Sequence, residues 1–231
     1  MEIIEAIKTR KSIRAFTSRK VSKGLLSDIL DIACWAPSAM NTQPWEFMAI
    51  SGDILDQIRA AIVTKLNNQE PMQPEHLVVG WPEDSVYRQR QVELAKQLFK
   101  LMDIPREDKV KRAQWLERGF RFFDAPAAII LMTDSTLTEH GPLLDVGAVM
   151  QNICLAALDH GLGTCIEDQG VLYPEVVREL ARIPDTKRII ISIAIGYPDP
   201  DFPANRVRTE REPAENITTW VGFEEDPTLP H

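Results

Sequence analysis

Between Pro142 and Asp159 the chain carries Leu143, Leu144, Val146, Val149, Ile153, Leu155 and Leu158, apolar on nearly every side of a helix. A helix with no polar face has to be covered all round, so this segment predicts a central buried element with other layers packed onto it. Lys187–Gly196 is the best strand candidate, with five isoleucines, and Ala127–Thr133 reads as a second buried strand. Trp45–Ile50 and Thr164–Ile166 add shorter strands. Helices are predicted over Glu2–Arg10, where Ile3, Ile4 and Ile7 form one stripe, over Ser22–Trp35 up to Pro37, from Asp53 to Leu66, and over Pro174–Ala181. Four or five strands with uneven crossovers imply an α+β fold, a small central mixed sheet flanked by helices, and not a regular doubly wound sheet.

The 231 residues suit one domain, 1–231. A stretch from Asn67 to Asp84, punctuated by Pro71, Pro74 and Pro82, reads as a long loop. After it come two polar helical segments, Ser85–Met102 and Glu107–Phe122, split by Pro105. Their charge places them outside the main core, as an inserted helical lid over about 85–122. From Tyr197 to the end, about 197–231, the chain is Pro-rich and charged, an extended tail without periodicity.

Composition closes off several function classes. A net charge of −8 argues against a nucleic-acid partner, whose footprint is basic. Cys34, Cys154 and Cys165 are too few for a disulfide framework, and His76, His140, His160 and His231 have no ligand spacing, so no metal site is expected. No apolar run reaches the roughly 18 residues of a membrane span, and the first residues show no signal-peptide pattern. A cytoplasmic setting with no membrane partner is the expectation. GxSxG, HExxH, the P-loop and a complete GxGxxG are all missing. Gly161-Leu-Gly163 follows a helix, and its ordinary use is a C-terminal cap.

Two dense polar segments remain. Thr9-Arg10-Lys11-Ser12-Ile13-Arg14 places three cations and a hydroxyl at the end of the first helix. Those cations complement a helix C-terminus, and the same groups suit a phosphate dianion. A second basic cluster, Arg206, Arg208 and Arg211, lies in the tail. Residues 1–23 hold seven cations against two acids, so the overall acidity surrounds local basic ground fit for a single phosphate-bearing ligand. Ala36-Pro37-Ser38-Ala39-Met40-Asn41-Thr42-Gln43-Pro44-Trp45 describes an ordered loop, whose amides and hydroxyls either serve local turns or edge a planar heterocycle.

Taken together, Arg10-Lys-Ser-Ile-Arg-Ala-Phe16, Ala36-Pro-Ser38 and Asn41-Thr-Gln-Pro-Trp45 resemble the FMN-dependent nitroreductase family. The resemblance continues through Phe122-Phe-Asp-Ala-Pro-Ala127, Asp145-Val-Gly147, Gly161-Leu-Gly-Thr-Cys165, Ile195-Gly-Tyr-Pro198 and Arg208-Thr-Glu-Arg-Glu-Pro213. It spans nearly the whole chain, in order.

The resemblance implies a homodimer with two FMN sites at the subunit interface. By position, Arg10, Lys11, Ser12 and Arg14 would hold the phosphate and ribityl side of the flavin, with Arg211 and Arg208 completing the phosphate site. Pro37, Ser38, Ala39 and Asn41 match the loop along the isoalloxazine, where Pro and Ser come from the opposite subunit. Ile166, Glu167 and Asp168 match the strand end whose backbone amides approach flavin N5 and O4. Lys11 stands where arginine is frequent, and Glu167-Asp168 brings two carboxylates near N5, acceptable if they belong to a solvated corner and point away. The implied reaction passes hydride from NADH or NADPH through the flavin to a nitroaromatic or similar small electron acceptor, with ping-pong kinetics. Tyr87, Arg88, Trp115 and Phe120, with Pro82, Arg90 and Phe122, are the acceptor-site candidates. Related flavin chemistries (quinone or enone reduction, reductive dehalogenation, breakdown of the flavin itself) and a non-catalytic flavin-binding regulator stay open at this level.

Overall fold

A computed structural model describes residues 1–77 and 80–223. Eight helices and four strands follow one another: α1 Ile3–Thr9, α2 Lys23–Ala33, β1 Glu46–Ser51, α3 Gly52–Asn67, α4 Val86–Leu101, α5 Lys109–Phe120, β2 Ala127–Asp134, α6 Leu143–Asp159, β3 Gly163–Glu167, α7 Pro174–Ala181, β4 Lys187–Gly196 and α8 Ala214–Ile217. The sheet order is β1-β2-β4-β3. The α+β class with a small flanked sheet is as expected, but the sheet is not mixed. All three ladders are antiparallel, and the parallel pairing that exists is an isolated bridge, Ser12 to Thr164. The physical reason is connectivity: β1–β2 and β3–β4 join antiparallel neighbours, while β2 and β3, parallel to each other and linked by the crossover through α6, are kept apart by β4.

Strand alternation divides the interior into two cores. Ala127, Ile129 and Leu131 of β2 face the layer of α2 and α6, while Ala128, Ile130 and Met132 face α3 and α7. In β4 the alternation breaks at a register shift opposite Leu131/Met132, which puts Ile190 and Ile191 into the same core. Helix α6 buries Val146, Val149, Ile153 and Ala157 against the sheet, yet Leu144 on its outer side is 86% exposed. The apolar-all-round helix therefore has one face that this chain alone leaves bare.

Local signals behave as the sequence reading expects. Ser22 caps α2, its Oγ accepting from the Leu25 N–H at 3.2 Å. Ser22→Ala is expected to cost about 1 kcal/mol and lower the thermal midpoint by about 2–4 °C, read by thermal unfolding. Gly161, at φ +73°, ends α6 in the left-handed conformation. Gly163 serves a different need: a Cβ there would sit 2.5 Å from Ile13 Cγ1 and 2.8 Å from Pro198 Cγ. Only a bare backbone lets the segment after α1 lie this close to β3.

Candidate functional site

That segment, residues 10–16, is laced between β3 and the tail. Ile13 N–H donates to Thr164 O at 2.9 Å, Thr17 N–H to Tyr197 O at 2.8 Å, and Asp199 N–H to Ala15 O at 3.1 Å. Asn205, buried in the tail, is the knot. Its Oδ1 accepts from Arg14 N–H at 2.7 Å and its Nδ2 donates to Ala15 O and Asp199 O, both at 2.9 Å. Its carbonyl accepts from Lys11 Nζ. The sequence reading missed Asn205, because one amide in a Pro-rich tail has no pattern to stand out from.

The fold thus brings the two basic clusters together. Arg10 and Lys11 line a cavity of about 260 Å³ with Thr9, Thr164, Asn205 and Arg206. Partial burial, and then the nearby Arg208 charge, push the Lys11 ammonium below the usual lysine range. Among the described residues, Arg10, Lys11, Arg14, Arg206, Arg208 and Arg211 make no ion pair with a carboxylate. One acid, Asp199, lines the cavity without pairing with them; cations in excess and not ion-paired are the chemistry a phosphate dianion neutralises, so the residues present fit a phosphate-bearing cofactor. Ser12 and Arg14 do not line this cavity. Both act on Cys165 of β3, whose thiol burial pushes up to about 12. Arg211 lies apart, its Nη1 donating to Thr209 Oγ1 at 2.8 Å, on a separate cavity of about 970 Å³ against α4.

At the end of β3, Ile166 and Asp168 are half-buried while Glu167 is buried. The solvated corner is therefore not what the structure holds at Glu167, whose carboxyl turns into the core and accepts from Gly170 N–H at 2.7 Å. The Pro37–Asn41 loop lies elsewhere. Its Ala39 N–H donates to Asp145 at the start of α6 at 3.3 Å, and Ser38 Oγ accepts from Gln43 N–H at 3.0 Å. Met40, Asn41 and Gln43 take left-handed conformations, with φ of 51°, 59° and 47°. Arg10 and Lys11 border Leu158 at the other end of α6, so the helix separates loop and cation cluster by about 20 Å at 1.5 Å per residue. One chain does not bring them together.

The helical insertion sorts its aromatic candidates. Tyr87 is exposed and pairs with Trp81, ring centroids 5.7 Å apart, at the edge of the larger cavity. Arg90 on the same helix is tied to Glu212 of the tail at 2.6 Å. Arg88 is exposed, and Pro82 with it. Trp115 is half-buried, packed with Leu98, Phe202 and Val207. Phe120 and Phe122 are core residues, 2% and 0% exposed, so packing against α3 and α7 takes them out of any open site. Arg118, unremarked in the sequence reading, ties α5 to the cofactor segment: its Nη2 donates to Arg14 O at 3.1 Å and its guanidinium lies over Phe202 at 4.8 Å.

A cation cluster without an ion-paired acid, on an α+β frame with, among the described residues, no metal-ligating cluster, defines a protein that holds a phosphate-bearing organic cofactor. Comparison with known proteins agrees. The nitroreductase family profile matches residues 7–197. The chain is 33% identical over 220 residues to a nitrobenzene nitroreductase of Ectopseudomonas oleovorans, covering 95% of this chain and 96% of that one. It is 30% identical over 220 residues to a 4-nitrobenzoate reductase of Pseudomonas putida, covering 94% and 95%. Among solved structures, the FMN- and NADPH-dependent nitroreductase NfnB from Sphigopyxis sp. strain HMH superposes with a TM-score of 0.91 at 28% identity, covering 96% of this chain and all of that one. The chain belongs to the nitroreductase family and is an oxidoreductase of that type.

Proposed function

We propose that the protein is an FMN-dependent oxidoreductase that takes hydride from NADH or NADPH and delivers it to a nitroaromatic or similar small acceptor. The observation that carries this reading is the convergence of Arg10, Lys11, Arg206 and Arg208 beside β3 without a carboxylate partner. Relatives named for nitrobenzene and 4-nitrobenzoate support the acceptor class. When bound, FMN supplies the two-electron chemistry. The chain supplies the rest: Arg10, Lys11 and Arg208 bind the phosphate, Ser12 and Arg14 the ribityl side, and Asn205 keeps the segment in place. The Ile166–Asp168 backbone borders the ring edge. Donor and acceptor using one face in turn would give ping-pong kinetics.

The working unit in this reading is a homodimer. Ile3, Ile4 and Ile7 of α1, Ile32 and Trp35 at the end of α2, Met40 and Leu144 are all exposed apolar residues on elements that run along α6. Trp35 and Met40 are 89% and 96% exposed, more apolar surface than a lone chain normally leaves to water. Covering that face with a second copy also brings a Pro37–Asn41 loop to the cation cluster it cannot reach in its own chain. The insertion of α4 and α5 then acts as the lid, with Tyr87, Arg88 and Trp115 as its acceptor-facing candidates. Cys34, Cys154 and Cys165 are free, and no described helix is long and apolar enough to cross a membrane. A reducing cytoplasm that supplies NAD(P)H is the setting this reading implies.

The test is direct. Purified protein should be yellow, release FMN at about one per chain on denaturation, bleach with NADH or NADPH under nitrogen, and recolour on adding a nitroarene. Protein that neither carries nor accepts FMN would overturn the reading. A yellow protein that neither nicotinamide bleaches would leave a flavin-binding module and no reductase.

A further inference from the structure

Glu167 ends β3 with its carboxyl enclosed by β4, by the turn Gln169–Val171 and by Phe122. Its Oε2 accepts from Gly170 N–H at 2.7 Å, and its Oε1 lies against Ser192 Oγ. The same Ser192 Oγ is 2.8 Å from the carbonyl oxygen of Glu167. A serine hydroxyl has a single hydrogen and cannot donate to both oxygens. Glu167 is buried and, among the described residues, no cation pairs with its carboxyl, so a negative charge there would go uncompensated. The enclosure is tight: a Cβ on Gly170 would fall 2.4 Å from the Phe122 ring and 2.8 Å from Glu167 Oε1.

The charges around Glu167 favour the same state. Burial is the main influence, and with Asp168 adding to it against the hydrogen bonds from Ser192, Gly170 and Gln169 the pKa is raised to about 7. Cys165, two residues back on the same strand, is held neutral by burial, and Arg14 acts on that thiol. Ser192 of β4 and Phe122 bring no charge.

We propose that Glu167 is a positioning residue that holds the β3 corner as a neutral carboxylic acid, so that Ile166–Asp168 presents backbone to the flavin edge with no charge behind it; this rests on the flavin reading above. The neutral acid also removes the difficulty of a carboxylate beside the site of reduction. A folded-state pKa raised above the unfolded value means that stability is complete at low pH. It is lost as pH rises from about 4.3 to about 7, and is level beyond.

The test uses the full chain, flavin-saturated and flavin-stripped, as wild type and as Glu167→Gln, which is neutral at every pH. Between pH 5 and 8.5 the unfolding constant of the stripped wild type should rise roughly 80-fold more than that of Glu167→Gln. Infrared difference spectra over that range should lose a protonated-carboxyl band in the wild type only. FMN should bind about tenfold more weakly to the wild type at pH 8.5 than at pH 5 relative to Glu167→Gln, since one unit of pKa coupling is a factor of ten. The titration of the FMN phosphate is common to both proteins and cancels. If Glu167→Gln fails to fold, Ser192→Ala serves: removing a hydrogen bond that lowers the pKa should move the stability midpoint to higher pH. Parallel stability curves for the two proteins would overturn the neutral acid. Diverging stability with identical FMN affinities would overturn the positioning role. FMN binding to neither protein at any pH would instead overturn the flavin reading beneath it.

Discussion

A Lys11→Met/Arg208→Ala double variant should bind FMN about 10²–10⁴-fold more weakly than wild type, with the flavin-free chain nearly as stable as before. The first half follows from charge-assisted hydrogen bonds to phosphate, about 1.5–3 kcal/mol each, with Arg208 at the lower end because it is exposed. The second half follows from the site itself. Lys11 is half-buried, and burial together with Arg208 disfavours its charged form when no anion is present. Removing both cations therefore relieves repulsion while losing one hydrogen bond, from Lys11 Nζ to Asn205 O. Fluorescence titration of FMN into stripped protein reads the first, and denaturant unfolding reads the second. Raising the salt concentration should weaken wild-type binding more than that of the double variant. Arg211→Ala, whose guanidinium is engaged with Thr209 and Glu210, should have a smaller effect than Arg208→Ala. Wild-type FMN affinity in the double variant would remove the phosphate assignment.

The second large effect concerns the loop that leads into α4. Before α4 the chain runs through a long loop that is fastened at Glu75. Glu75 Oε1 and Oε2 receive Arg178 Nε at 2.5 Å and Nη2 at 2.7 Å, and Oε2 also accepts from Ile189 N–H at 2.7 Å. Arg178 in turn donates to Pro184 O at 2.9 Å and to Lys187 O. Its side chain is 19% exposed and that of Glu75 23%, enough burial for a lost partner to be felt and enough water to keep the loss below that of a fully buried pair. Glu75→Ala should therefore cost about 3 kcal/mol, at the low end for breaking an enclosed pair. For a chain of this size that is about 6–12 °C in thermal midpoint. Glu75→Gln, which keeps the acceptor for Ile189, should recover part of it. A loss below about 1 kcal/mol in Glu75→Ala, measured by urea unfolding, would show that the clamp is an exposed ion pair of the ordinary kind.

The sequence carried the elements well where one physical signal dominated. The stripe on α1, the helix from Ser22, the Gly161 stop and the isoleucine strand each state a local preference that tertiary packing had no cause to override. It carried the site in part. The basic character of residues 10–14 and of the tail was legible, as was the strand end at 166–168. Which arginine stands nearest Lys11 was not, since Arg206, Arg208 and Arg211 look alike in sequence and differ only in where the tail points them. Phe120 and Phe122 show the same limit, because an aromatic on a polar helix reads as exposed until the core behind it is known. Asn205, Arg118 and Ser192 had no signal at all, being single polar residues whose partners in side-chain hydrogen bonds, Asp199 apart, lie 25 to 194 positions away.

By itself, then, the sequence determined an α+β domain of four or five strands and two polar helical segments, because periodicity and caps are properties of neighbouring residues. It also determined the chemistry on offer, cations and amides without a nucleophile, because composition needs no coordinates. Only the tertiary structure decided that Arg10 and Lys11 share a cavity with Arg206, that Gly163 exists to let residue 13 approach, and that Glu167 turns inward. It also left α6 bare on the side of Leu144. Each of these depends on contacts between residues far apart in the chain, and long-range contacts are set by how layers pack, which no local pattern records.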